Sequence, residues 1–115
     1  MRRRVLALAQ IAPVLGDLAQ NLGLHESKIA EGRAAGADLV LFPELGLTGY
    51  QLQDLAPEVA MRRTDSRLQS LAKMTSDGPS AVVSFVESTD DHRLFASAAL
   101  LEWGEVRHVA RKCYL

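Results

Sequence analysis

Residues 36–50 read GADLVLFPELGLTGY, and the order of residue types in this stretch decides the fold. Ala37 to Phe42 is a short, almost wholly apolar run opened by Gly36. Such a run reads as a strand covered on both faces rather than one with a wet side. Pro43 has no N–H for a ladder, so the strand is expected to end there. Glu44 follows at once, at the carboxyl end of the strand, and Gly46 and Gly49 keep the next loop compact. In open α/β sheets, ligands and chemistry collect at the carboxyl ends of strands. A carboxylate partly desolvated there has its pKa raised toward the range of a general base. The competing reading is a solvated glutamate or a cap on the next helix.

Working outward, Arg4 to Gln10 reads as a first strand and Ile11 to Gly16, with Pro13 and Gly16, as a loop. Asp17 is a good N-cap, with Gln20 three residues on, so a helix is expected from Leu18 to about Ala35, stopped by Gly36. Leu18, Leu22, His25 and Ile29 share one helical face, which makes His25 a packed residue rather than a ligand. Strand, long helix, strand is a βαβ crossover, so the first two strands are expected to be parallel. Residues 48–58 read as loop, with one helical turn near 53–55. Thr64 or Asp65 caps a second helix that Asp77-Gly78-Pro79 closes. Ser80 to Glu87 is a third strand and Arg93 to Leu101 a fourth. The turn at Glu102-Trp103-Gly104-Glu105 leads into an antiparallel fifth strand, Val106 to Lys112. The fold class is α/β with a mixed sheet, a βαβ start and an antiparallel meander.

Composition excludes several classes of function. The chain has 115 residues, enough for one small domain. Its 13 basic and 14 acidic residues give a net charge of −1, without the basic surplus of a nucleic-acid-binding protein. No apolar run has the length of a membrane span, and Val5 to Ala9 is too short for a signal-peptide core. A single cysteine, Cys113, rules out an internal disulfide framework. His92 and His108 lack a carboxylate at ligand spacing, so no metal is expected. The expectation is a soluble, cytoplasmic protein without a cofactor.

Strict alternation along the last strand puts Val106, His108, Ala110 and Lys112 on one face and Arg107, Val109, Arg111 and Cys113 on the other. Lys112, ending an otherwise apolar face, either snorkels to solvent or is held in a site. Cys113 reads as a small buried apolar residue facing away from Lys112. Tyr50, six residues after Glu44, either lines a pocket beside it or packs as a lid.

FPELGLTGY resembles the glutamate motif of the nitrilase superfamily, the carbon–nitrogen hydrolases that work with a Glu, a Lys and a Cys. Val109 to Leu115 is similar to the family's lysine motif, an Arg-Lys pair before a short apolar tail. Ala9-Gln10, Gly16-Asp17 with Asn21, and Leu94 to Ala99 add matches in the family's order, so the likeness spans the chain. In the last of these, Ala96 and Ser97 stand where the family often has Asn.

The resemblance implies the N-terminal part of an α-β-β-α sandwich that hydrolyses non-peptide C–N bonds of small amides or nitriles through a thioester. Glu44 would be the general base and Lys112 the cation that steadies the oxyanion, with Tyr50 a candidate substrate contact. The nucleophilic cysteine of the family lies later than Leu115, so residues 1–115 are expected to form a truncated domain that is inactive alone. With one sheet face uncovered, such a domain is expected to form homo-oligomers. Two alternatives stand beside a free amidase. One is the glutaminase part of an ammonia-consuming enzyme such as a glutamine-dependent NAD synthetase, and the other is a non-catalytic interaction fragment.

Overall fold

The structure is a computed structural model and describes residues 3–49 and 56–112. Five strands form one sheet in the order β1 (Leu6–Leu8), β2 (Leu39–Leu41), β3 (Ser80–Ser88), β4 (Leu94–Glu102) and β5 (Glu105–Arg111). The first three are parallel, and β3–β4 and β4–β5 are antiparallel. Helix α1 (Leu18–Ala34) makes the β1–β2 crossover, while α2 (Ala56–Val59) and α3 (Ser66–Lys73) lie between β2 and β3. The mixed α/β sheet is the one read from the sequence, with shorter β1 and β2.

The caps explain the helix starts. Asp17 Oδ1 accepts from Gln20 N at 3.0 Å, and Asp65 Oδ1 accepts from Arg67 N at 2.8 Å. Each satisfies a donor that the first helical turn leaves orphaned. Helix α1 lies close on β2: a Cβ on Gly32 would fall 2.7 Å from Val40 Cγ2. Arg33 then ties α1 to the end of α3 by donating to the carbonyls of Met74 and Gly78.

The two sides of the sheet differ. On the helix side, Val40, Ala81, Val83, Phe85, Ala99 and Leu101 are buried against Ile29 of α1 and Leu68 and Leu71 of α3. On the other side the registered row Leu6–Leu39 and Leu41–Val82–Leu100 is half-buried or open. Leu8 is 69% exposed. Strand β2 is therefore covered on one face, not two, among the described residues. A continuous apolar run signals two hydrophobic faces; it does not say whether both have found cover. The open side is closed at one end only, where Leu45, Ala56, Val59, Val86 and Ala96 form a second small cluster.

Strict alternation fails in β5. The register shifts between Leu100 and Leu101, so that Leu100 pairs with His108 and Leu101 with Val106. The bulge adds one residue and turns Val106 onto the helix side, where it packs with Val109 against the main core. Beyond the bulge the expected faces hold.

Candidate active site

Pro43 ends β2, and residues 43–49 coil into successive turns: Gly46 N donates to Pro43 O at 3.1 Å and Gly49 N to Leu45 O at 2.8 Å. Leu45 takes a left-handed φ of 52°, which a non-glycine residue adopts only when its surroundings hold it. The hold comes from β3, where Ser84 Oγ accepts from Leu45 N at 2.8 Å and Ser84 O accepts from Leu47 N at 3.2 Å. Asn21, fully buried on α1, donates from Nδ2 to Leu47 O at 3.0 Å and to Val14 O at 2.8 Å. One side-chain amide thus fastens the Glu44 loop to the β1–α1 loop.

His25 lies beneath the same loop. Its ring stacks on Phe42 with centroids 4.1 Å apart, and Nδ1 is 2.7 Å from Asn21 O. A carbonyl only accepts, so Nδ1 carries the hydrogen and Nε2 is a buried lone pair without a partner among the described residues. Burial pushes the His25 pKa below its ordinary value, and the ring stays neutral. His25 is a packed residue, as its helical face indicates.

Lys112 arrives from the end of β5. Its N–H donates to Ala96 O at 3.0 Å, extending the β4–β5 ladder by one residue. Its Nζ lies 2.5 Å from Glu44 Oε1, although the two residues are 68 positions apart in sequence. The pair sits at the end of the sheet, beside the small Leu45–Ala96 cluster. The Glu44 side chain is 42% exposed, so it is withdrawn from solvent only in part. The open side of the sheet supplies no wall over it among the described residues. Tyr50 and Cys113 lie outside the described residues.

Sequence reading missed Glu87. Its side chain sits on the helix side of the sheet end, 1% exposed, and accepts four hydrogen bonds. Arg111 gives two in a fork (Nε to Oε1 at 2.7 Å and Nη2 to Oε2 at 2.9 Å), Ser97 Oγ one at 2.8 Å, and Arg63 Nε one at 3.2 Å. These donors, Arg111 first, outweigh desolvation and hold the Glu87 pKa down to about 2. Arg111 also lies over the Phe95 ring, 5.3 Å from its centroid. The signal was in the alternation. Ala81, Val83 and Phe85 face the core, so Glu87 two residues on must bury its charge or find partners. The cluster floors a cleft of about 430 Å³ that Arg62, Asp90 and Asp91 also line. Among the described residues no three His, Cys, Asp or Glu side chains are grouped to hold a metal.

The carbon–nitrogen hydrolase family model matches residues 5–115. The chain belongs to the carbon–nitrogen hydrolase family. It is 36% identical over 119 residues to the glutamine-dependent NAD(+) synthetase of Thermotoga maritima, a match that takes in 100% of this chain and 20% of that protein. Among solved structures it resembles the glutamine-dependent NAD(+) synthetase of Acinetobacter baumannii in complex with ADP. There the TM-score is 0.75 at 31% identity, over 93% of this chain and 20% of the other. An N-terminal amidase with a Gln-Gly peptide shares the fold, with a TM-score of 0.78 at 22% identity over 96% of this chain and 28% of that one. The chain spans about a fifth of the length of the synthetases it matches. Its sheet is the N-terminal part of the nitrilase-type fold.

Proposed function

We propose that this carbon–nitrogen hydrolase chain forms the Glu–Lys half of an amide-hydrolysing site, of the glutaminase kind that its most similar relatives combine with synthesis of NAD. The observation that carries the reading is the Glu44–Lys112 pair, 68 positions apart in sequence and 2.5 Å apart in space. The identity to glutamine-dependent synthetases over the whole chain favours glutamine over other small amides as the substrate.

The chemistry divides between the two side chains. An amide carbonyl needs a strong nucleophile, a base to generate it, and positive charge where the oxyanion develops. Glu44 takes the proton from a thiol, gives it to the departing ammonia, and then takes a proton from the water that releases the acyl group. Lys112 remains protonated and faces the developing oxyanion. The thiol is the one that the family places later in sequence than its lysine motif.

The test uses the protein that carries this chain together with whatever its coding sequence adds. Ammonia release from glutamine is expected to fall by at least about a hundredfold in both Glu44→Gln and Lys112→Met, in line with removal of a general base or an oxyanion partner. Activity that survives either substitution sinks the assignment. Release from simple aliphatic amides at the same kcat/KM as from glutamine would instead favour a free amidase.

A further inference from the structure

Strand β5 is an edge strand: it pairs with β4 and with nothing on its other side among the described residues. The candidate catalytic lysine lies one residue past its end, and among the described residues the ladder ends on the bond from Lys112 N to Ala96 O. Strand ends at sheet edges open at low free-energy cost. The residue before Lys112 supplies an anchor. Arg111 stands in register with Ser97 of β4. From there its guanidinium reaches over β4 to β3 and grips Glu87 in a two-pronged bond, with Ser97 Oγ on the same carboxylate. Successive residues of a strand point to opposite faces, so fixing Arg111 on the helix side fixes Lys112 on the open side, toward Glu44.

We propose that Glu87 is a positioning residue for Lys112, holding the end of β5 through Arg111 so that the Lys112 ammonium meets Glu44. A buried carboxylate with two arginine partners is a weak device for stability alone, since well-packed apolar residues serve as well. A planar fork is a strong device for orientation. The inference rests on the amide-hydrolase reading for what Lys112 does, and on geometry alone for how Lys112 is held.

The experiment reads geometry without requiring turnover. The chain is acetylated with limiting reagent at neutral pH, and the rates at its three lysines, Lys28, Lys73 and Lys112, are resolved by mass spectrometry. An ion-paired amine reacts slowly. Glu44→Gln sets the rate of Lys112 without the Glu44 contact. Glu87→Gln is expected to raise the Lys112 rate about two- to fivefold toward that value, the range of a partly exposed ion pair. Lys28 and Lys73 should not change. In the Glu44→Gln background, Glu87→Gln should add nothing further, because the contact it protects is already gone.

An unchanged Lys112 rate in folded Glu87→Gln overturns the proposal. So does a parallel rise at all three lysines, which would mean general loosening, or a rise that persists without Glu44. Leu71→Ala, a core change that removes no member of the Glu87 cluster, controls for lost stability. Where Glu87→Gln does not fold, Arg111→Met removes the clamp from its exposed partner and is read in the same way. Failure of the amide-hydrolase reading would appear separately, as ammonia release indifferent to Lys112→Met, and would leave the labelling result standing.

Discussion

A carboxylate that accepts four hydrogen bonds from Arg111, Ser97 and Arg63 titrates unlike one in water. Glu87 is held down to about 2 from an ordinary 4.5, so protonation favours the unfolded chain across that interval. The sign follows from the depressed value: the contribution of Glu87 is complete above pH 4.5 and disappears as the pH falls through about 2. Glu87→Gln removes the charge at every pH. It is expected to cost about 2 kcal/mol near neutrality, the scale of a hydrogen bond to a charged group. Urea melts of both proteins across the acid range check this. The stability gap should hold steady above pH 5 and narrow toward pH 2, and a gap independent of pH would mean that Glu87 is not ionised in the fold. At the same scale, Glu44 differs in kind. Its side chain is 42% exposed and meets the Lys112 ammonium.

The elements show how a seven-residue loop is made rigid enough to present that glutamate. Residues 43–49 are held from below by the His25–Phe42 stack, from β3 by Ser84 and from α1 by Asn21. Gly46 sits where the fit is closest: a Cβ there would lie 3.1 Å from Pro43 O and 3.2 Å from His25 Nε2. Neither neighbour is the far end of a flexible chain, so Gly46→Ala is expected to destabilise by about 1–3 kcal/mol, as overpacking does. Its effect on ammonia release should exceed its effect on the melting temperature, because the displaced loop carries Glu44. An Ala variant with full activity would show that the loop yields freely. Much of this was legible in the sequence. Pro43 and the glycines marked the loop, Asp17 and Asp65 marked the helix starts, and the family motifs marked Glu44 and Lys112. Two things were not legible. The bulge that turns Val106 inward depends on how β5 registers against β4, and one strand's alternation carries no information about its partner's register. The Glu87 cluster joins side chains from β3, β4, β5 and the segment before α3, so only pairing the strands reveals that the inward-facing charge has partners.

For the whole molecule, the unequal faces of the sheet set the behaviour in solution. The helix side is a closed core, while the open side carries Leu6 and Leu8, 53% and 69% exposed, beside the half-buried Leu39, Leu41, Val82 and Leu100. These residues are contiguous through the β1–β2–β3–β4 register, so they form one patch rather than scattered exposures. Contiguous apolar patches on isolated chains drive association. The outer edge of β1, unpaired among the described residues, adds backbone donors and acceptors that a second chain can satisfy. The purified chain is therefore expected to self-associate with rising concentration and to bind an apolar dye. Replacing both Leu6 and Leu8 with lysine should shift it toward monomer. The melting temperature of the monomer should change little, since neither side chain belongs to either core cluster. Analytical ultracentrifugation over a concentration series separates the outcomes. A wild-type chain that remains monomeric at every concentration and binds no dye defeats the expectation. Association that the double lysine variant leaves intact would move the contact to another surface, with the exposed Trp103 and its stacked Arg107 at the β4–β5 turn the next to test.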